Sequence, residues 1–424
     1  MATSRGWRIA WALAVTQTVG YGILFYAYGV FTVPMERELG LTRDRTSLAF
    51  AAALLVSGLA ALPAGRIVDR YGGRALMTLG SLAGGAALVA WSRVETFAGL
   101  VATQAVIGLV LAAVTYEVAF AVLVPWFRRD RLRALLLVTF AAGFASTIFV
   151  PLATALEAWL GWRAALATLG ATLWIATVPL HAFVVRRAPA YGAGDRPARE
   201  EEPVADAGGD ADPTAESDVG LGRAVRTASF WWWTLGFAVD RGVIVAVAAH
   251  AVPLLLEAGH GPERTAALVG SIGAFQVAGR VAFAPLAERL PIGTATVATF
   301  ALRTAALATL AASLAASGPA VLVLLWAFAA AFGLANGAST LARAGLIAER
   351  YGPRRYGTVS GAMTTTAAFV QPAAPLVLGA VRVAQDGYFA AVLVLVGAAA
   401  LAALAIALGN AGARHGTPKG GGTR

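Results

Sequence analysis

Long apolar runs separated by short polar segments dominate the chain. Twelve runs are long enough for an α-helix to cross the ~30 Å hydrocarbon core of a bilayer. They cover residues 7–33, 46–65, 75–92, 97–125, 134–157, 163–185, 229–256, 265–286, 292–316, 319–342, 357–381 and 387–409. The pattern predicts an all-α membrane protein with twelve transmembrane helices.

The runs fall into two equal sets separated by a polar segment. Six precede residue 186 and six follow residue 228, which predicts two pseudo-symmetric six-helix bundles at residues 1–186 and 229–410. Residues 187–228 form the predicted cytoplasmic linker. Its part from Ala188 to Asp218 is rich in Pro, Gly, Asp and Glu, a composition that predicts disorder, and a short surface helix is expected from Leu221 to Phe230. Residues 411–424 form a Gly-rich cytoplasmic tail.

Composition excludes several classes of protein. The chain is 58% hydrophobic and only 13% charged, which is unlike a soluble globular domain. Its net charge of +10 lies in short loops rather than on one basic face, so we expect no nucleic acid partner. Cysteine is absent, which excludes disulfides and thiolate metal sites. We predict no metal site and no cofactor.

Lys and Arg predict the orientation of the spans. Most of them fall in alternate loops, on the side that also holds the two chain termini. By the positive-inside rule this side is the cytoplasm, in a multi-pass protein of the bacterial cytoplasmic membrane. Three arginines instead lie inside predicted spans: Arg241, Arg280 and Arg303.

The loop between the second and third spans carries an unusual density of charge. It reads Gly65-Arg66-Ile67-Val68-Asp69-Arg70-Tyr71-Gly72-Gly73-Arg74. With its position between these two spans, it resembles the signature loop of the major facilitator superfamily. The resemblance implies a transporter that works by alternating access and is not an enzyme.

Three further stretches resemble the monocarboxylate transporter branch of that superfamily and its bacterial relatives. They are the basic loop at residues 125–134, the segment His250-Ala251-Val252-Pro253-Leu254-Leu255, and Gly279-Arg280 in the eighth span. The branch resemblance implies that Arg280 binds the substrate carboxylate. The loop after the eighth span lacks the Asp-Arg-x-Gly of the family, and Asp240-Arg241 is not typical of the branch.

Arg280 is the leading candidate binding residue on physical grounds as well. It lies eight residues before Glu288, so about 12 Å inside the membrane, where an arginine must face protein or water. Its planar fork suits a carboxylate. The alternative is a structural ion pair with Asp240 or Glu117.

Other polar residues in the spans are candidates to line the same site. They are Gln276, Tyr116, Gln17, Tyr21, His250, Asn336 and Gln371. Gln276 is the strongest, because it lies one helical turn from Arg280. The alternative for each of them is a structural role, in which the side chain forms a hydrogen bond between two transmembrane helices.

Asp240 and Glu117 are candidate proton carriers, because each places a carboxylate near the middle of a span. The alternatives are a fixed ion pair for Asp240 and a helix contact for Glu117. The sequence does not explain Arg303. The resemblance implies that the ninth span is peripheral, where a charge is costly.

The signature loop predicts a gate on the cytoplasmic side. Its candidate residues are Gly65, Asp69, Arg70, Gly72 and Arg74. The Asp69 carboxylate is expected to meet the N-terminus of the eleventh span near Gly357, where the helix dipole favours an anion. The alternative is a purely topological role for the positive charges.

The sequence therefore predicts a monomeric secondary transporter for a small organic anion, coupled to protons. The alternative is efflux of larger amphipathic compounds. A membrane enzyme or sensor is disfavoured, since no Walker loop, His-Glu-x-x-His or Gly-x-Ser-x-Gly motif is present.

Overall fold

A computed structural model describes residues 4–189, 191 and 219–415. All regular secondary structure in these ranges is helical, which confirms the predicted all-α class. The acidic centre of the predicted linker, at residues 192–218, and most of the Gly-rich tail, at residues 416–424, lie outside the described residues.

The described part of the chain forms twelve membrane-length helical segments. Eleven helical runs are long and apolar enough to span a membrane, and one of them, Arg131–Val184, has 54 residues. At 1.5 Å per residue that run is roughly 80 Å long, far more than one crossing needs. Gly161 divides it, because its φ of 73° and ψ of 160° end one helix and begin the next.

The segments are numbered as follows. They are α1 Arg5–Leu39, α2 Arg43–Tyr71, α3 Gly73–Trp91, α4 Phe97–Trp126, α5 131–160, α6 162–184, α7 Ala228–Glu257, α8 Pro262–Arg289, α9 Ile292–Ala315, α10 Ala320–Tyr351, α11 Tyr356–Ala384 and α12 Tyr388–His415. Each overlaps one predicted span. The largest difference is the end of α10, which stays helical through the charged residues Arg343, Glu349 and Arg350, where hydropathy has already fallen.

Three segments are interrupted within the membrane-length helix. A π-helical turn at Gly22–Tyr26 divides α1, an extended residue at Thr115 divides α4, and Gly143 and Phe144 interrupt α5. Irregular backbone at membrane depth persists only where protein or water satisfies its polar groups. In α1 and α5 the helix's own backbone supplies hydrogen bonds at the interruption, from the Ala27 N–H to the Gly22 carbonyl and from the Gly143 N–H to the Thr139 and Phe140 carbonyls. At the break in α4 a side chain supplies one.

The contacts divide the chain into two compact units. The first contains Met1–Val219 together with Ile347–Thr365, and the second contains Gly220–Leu346 together with Thr366–Arg424. The end of α10 and the start of α11 thus pack with the first unit, although they come late in the sequence. The order of the spans does not reveal this grouping.

Each unit has its own apolar core. Leu88, Ile107 and Leu169 are almost fully buried in the first. Leu307 and Leu395 lie in the corresponding core of the second. The two cores hold the helices that carry the candidate functional residues.

Candidate functional site

The interruption of α4 is held by a side chain from α1. Thr115 adopts an extended conformation, so α4 stops at Val114 and restarts at Tyr116. The Gln17 amide nitrogen donates to the Val114 carbonyl at 2.6 Å, and Gln17 is 1% exposed. Gln17 thus satisfies a backbone acceptor at the break. Here the predicted lining residue acts as a bond between helices.

Aromatic rings and a carboxylate follow directly after the break. The Tyr21 ring lies 4.6 Å from the Tyr116 ring, centroid to centroid, and Tyr116 stacks on Phe120 at 5.1 Å. Both tyrosines are partly exposed. The structure thus brings three predicted residues, Gln17, Tyr21 and Tyr116, to one place in the first unit.

Glu117, the next residue, contacts two hydroxyl groups at the start of α11. The Ser360 hydroxyl donates to Glu117 Oε2, and the Thr364 hydroxyl donates to Oε1 at 3.0 Å. Both carboxylate oxygens therefore have a donor. The sequence could not predict these partners, because more than 240 residues separate them from Glu117.

Arg280 lies at a close crossing of α8 and α10 in the second unit. A Cβ added to Gly279 would lie 2.1 Å from the Leu334 carbonyl oxygen, and one added to Gly337 would lie 1.9 Å from the Gln276 carbonyl oxygen. The two backbones are thus in direct contact, as small-residue motifs allow in membranes. Arg280 is 6% exposed, so its guanidinium lies inside the protein.

The same crossing gathers two more predicted residues. Gln276 is one turn from Arg280 on α8, and its carbonyl faces Gly337. Asn336 immediately precedes Gly337 on α10. Both side chains are half-buried. Arg280, Gln276 and Asn336 are therefore neighbours around one helix crossing.

Asp240 forms an ion pair with Arg303. Asp240 Oδ1 lies 2.5 Å from Arg303 Nε, in a close contact that is not a straight hydrogen bond, and Arg303 Nη2 donates to Oδ2 at 3.5 Å. Asp240 therefore pairs with Arg303, and not with Arg280, for which the sequence offered Asp240 as an alternative partner.

Arg303 is the residue that sequence reasoning could not place. It is 1% exposed, its guanidinium lies 5.1 Å from the Phe332 ring centroid, and Nη2 donates to the Ser339 hydroxyl at 3.3 Å. α9 turns this side chain into the second unit, so Arg303 avoids the cost that a charge would meet on the lipid-facing side of a peripheral span. The sequence signal for the Asp240–Arg303 pair was that two residues of opposite charge both lie inside predicted spans.

Arg241, beside Asp240, points in a different direction. Neighbouring helical residues diverge by about 100°, and Arg241 is exposed while Asp240 is 4% exposed. Gly242, on the next position, packs against Val370 of α11. The same turn of α7 thus carries a buried charge, an exposed charge and a helix contact.

His250 makes hydrogen bonds with both of its ring nitrogens. Nδ1 lies 3.0 Å from the Tyr388 hydroxyl, and Nε2 lies 3.1 Å from the Pro375 carbonyl oxygen. A carbonyl only accepts, so Nε2 carries a proton, and in the neutral imidazole Nδ1 accepts from the tyrosine. His250 thus joins α7 to α11 and α12. Gln371, the remaining candidate, is half-buried before Pro372 on α11.

The signature loop places Asp69 at the start of α11. The Gly357 N–H donates to Asp69 Oδ1 at 2.9 Å, and the Thr358 N–H donates to Oδ2 at 2.7 Å. This bidentate contact with the first amides of a helix is the contact predicted from the sequence. It satisfies donors that a helix N-terminus leaves open.

Glycines bring α2 close enough for this contact. A Cβ added to Gly65 would lie 2.0 Å from the Gly357 carbonyl oxygen, and one added to Gly361 would lie 2.4 Å from the Ala61 carbonyl oxygen. Any side chain at Gly65 would therefore push α11 away from Asp69.

The remaining loop residues fix the turn between α2 and α3. Gly72 has a φ of 81°, which favours glycine and reverses the chain in one residue. The Arg74 Nε donates to the Ala182 carbonyl at 2.7 Å, and Arg70 stacks 5.1 Å over the Tyr71 ring. Arg74 therefore joins the loop to the end of α6.

Comparisons with known proteins agree with this architecture. The profile of the family described as the Major Facilitator Superfamily matches residues 13–375. A crystal structure of a point variant of the E. coli fucose:proton symporter FucP is similar, with a TM-score of 0.68 and 14% identity over 94% of this chain and 98% of that one. FucP in the outward conformation gives a TM-score of 0.66, with the same identity and coverage. No curated protein matches the sequence.

Proposed function

Because the chain belongs to the major facilitator superfamily, we propose that this multi-pass membrane protein is a secondary transporter of a small, monocarboxylate-like organic anion. It moves the anion with protons, as a monomer, by alternating access. Its proposed location is the bacterial cytoplasmic membrane, and the distribution of Lys and Arg supports placing both termini in the cytoplasm.

The observation that carries this proposal is the buried guanidinium of Arg280. A cation inside a transmembrane segment marks a substrate or ion pathway more often than a structural role. Arg280 lies beside Gln276 and Asn336, which offer neutral hydrogen bonds for the rest of a small polar ligand. A guanidinium flanked by amides suits a short carboxylate with a further oxygen.

Glu117 is the proposed proton carrier. It follows a break in α4 and accepts hydrogen bonds from Ser360 and Thr364, so a change in its charge alters contacts with the start of α11. A proton that travels with the anion cancels its charge and lowers the cost of crossing the low-dielectric interior. Asp240, in its ion pair with Arg303, is the weaker candidate.

The aromatic cluster favours a second candidate function. Tyr21, Phe25, Tyr116 and Phe120 form a chain of ring contacts in the first unit. Such a surface suits efflux of larger amphipathic compounds, with apolar contact rather than Arg280 setting specificity. The two functions differ in their dependence on Arg280.

The test is uptake into proteoliposomes under an imposed pH gradient. We expect labelled lactate or pyruvate to enter with the gradient, and Arg280→Ala to lower the rate about 10- to 100-fold, the value of a hydrogen bond to a charged group. Arg264→Ala, at an exposed arginine of the same helix, is the matched control. Uptake at the native rate by a folded Arg280→Ala protein contradicts the proposal, and drug transport that survives this substitution favours efflux.

A further inference from the structure

A cavity of about 590 Å³ opens on the first unit where α1 begins and α6 ends. Its lining consists of Arg5, Arg8, Trp11, Ala12, Val15, Leu180, Phe183, Val184 and Arg186. We name it the Arg5–Arg186 pocket. None of the sequence-predicted binding residues lies in its wall.

The charges of the pocket are all at one end. Arg5 and Arg8 lie one turn apart on the first turns of α1, and Arg186 follows the last turn of α6. Three like charges gathered at one end of a cavity favour an anionic ligand. The N-terminus of α1, at the same end, adds the favourable end of the helix dipole.

The rest of the pocket is apolar and runs along the membrane-spanning helices. Val15 lies ten residues beyond Arg5, so about 15 Å further along α1. Trp11 and Phe183, in the wall between, are 57% and 72% exposed. The pocket therefore has a cationic end at the start of a span and an open apolar wall at membrane depth.

We propose that the Arg5–Arg186 pocket binds an anionic phospholipid. The three guanidinium groups hold the headgroup phosphate, with the bidentate geometry that arginine offers. An acyl chain lies along Trp11, Val15 and Phe183. Basic pockets between transmembrane helices that face the cytoplasm bind acidic headgroups in this way. A free phosphate would use the cationic end but leave the apolar wall in contact with lipid or water.

The experiment measures lipid binding to the purified full-length protein in detergent. Native mass spectrometry counts bound phosphatidylglycerol against phosphatidylcholine, with inorganic phosphate as a competitor. Each arginine at a headgroup contributes about fivefold in affinity, so the triple variant Arg5→Gln, Arg8→Gln, Arg186→Gln is expected to bind phosphatidylglycerol roughly 100-fold more weakly.

The matched control removes three exposed arginines elsewhere. It is Arg223→Gln, Arg226→Gln, Arg289→Gln, and we expect less than about a threefold change. A triple Arg-to-Lys variant of the pocket keeps the charge but loses the bidentate geometry, so we expect its affinity to lie between those of the native protein and the triple Gln variant. Equal losses in the pocket and control variants overturn the proposal, and so does full displacement of the lipid by millimolar phosphate, which indicates an anion site only.

A second measurement locates the acyl chain. Phosphatidylglycerol with brominated chains quenches tryptophan fluorescence over short distances. We expect Trp11→Phe to lower the quenched fraction measurably, whereas Trp326→Phe, at a partly exposed tryptophan of α10, does not. Unchanged quenching in Trp11→Phe overturns the placement of the lipid in this pocket, even where the arginine variants fold poorly.

Discussion

Asp240 and Arg303 form an ion pair inside the second unit, with 2.5 Å between Oδ1 and Nε and side chains that are 5% and 1% exposed. Both charges have lost most of their water, so each stabilises the other against a large desolvation penalty. The Ser339 hydroxyl and the Phe332 ring contact the guanidinium from α10. The pair thus joins three helices, α7, α9 and α10.

The first prediction concerns this pair. We expect Asp240→Asn or Arg303→Gln to destabilise the protein by about 3–5 kcal/mol, because either change leaves a buried charge without its partner. The double variant Asp240→Leu, Arg303→Met removes both charges and is expected to recover most of the loss. Unfolding of the purified protein in detergent, followed by a thermal shift, measures both effects.

The same variants separate structure from proton coupling. A stable double variant that still transports shows that Asp240 carries no essential proton. A double variant as unstable as the single ones contradicts the interpretation of the pair as a mutual stabilisation of charges.

The second prediction concerns the crossing of α8 and α10. Gly279→Ala places a methyl group 2.1 Å from the backbone oxygen of Leu334, which cannot move without its helix. We expect a loss of about 1–3 kcal/mol, typical of overpacking, and a displaced Arg280. Thermal unfolding and the uptake assay measure these two consequences.

Gly273→Ala is the control on the same helix. No atom lies within 4 Å of a Cβ added to Gly273. The substitution is therefore expected only to stabilise α8, by up to about 1 kcal/mol, because alanine has the higher helix propensity. Similar stabilities of the two variants would contradict the close backbone contact.

The third prediction concerns the contact between Asp69 and α11. Asp69→Asn removes the negative charge and one of the two acceptor oxygens, so the amides of Gly357 and Thr358 lose charge-assisted bonds worth about 1.5–3 kcal/mol each. Because the chain has no cysteine, Thr358→Cys introduces a single thiol at this contact, and it serves as the common background since it also removes the Thr358 hydroxyl that bonds Asp69. Thr358 is 7% exposed, and we expect its thiol to react faster when Asp69 is Asn.

Arg70→Gln serves as the control for charge in the same loop. Arg70 stacks on Tyr71 and does not hold α11, so the labelling rate should stay near that of the native loop. If the thiol at position 358 is labelled equally fast in Asp69→Asn and Arg70→Gln, Asp69 does not hold the start of α11. That result would favour a purely topological role for the charges of the loop.

The fourth prediction concerns Arg241. A charged side chain that is exposed in the middle of a span is stable only in contact with water, so we expect it to line a water-filled cavity. Arg241→Cys should react with a membrane-impermeant thiol reagent. Val281→Cys, at an exposed apolar position of α8, should not. Equal reactivity of the two cysteines contradicts the prediction.

Sequence patterns predicted the parts of the fold that depend on local chemistry. Apolar length predicted the twelve spans, and Gly72 with its flanking charges predicted the tight turn after α2. The Asp69 contact also followed, because a carboxylate and a helix N-terminus attract each other wherever the family fold brings them together. That contact is confirmed, whereas its gating role stays a prediction.

What the sequence could not predict depends on which face each helix turns inward. Nothing local distinguishes Arg303 on an inward face of α9 from an arginine that faces lipid. Thr115 gives no sign of the break in α4, since no proline or glycine lies beside it. The partners of Glu117 belong to a helix whose first turns pack with the first unit.

The break at Thr115 has a consequence for how the protein is made. The fourth hydrophobic segment emerges from the ribosome with a carbonyl, that of Val114, which its own helix does not satisfy, and the amide that meets it belongs to the first segment. Leaving such a group bare in hydrocarbon costs several kcal/mol. We therefore expect the break at Thr115 to form only once the fourth segment has packed against the first.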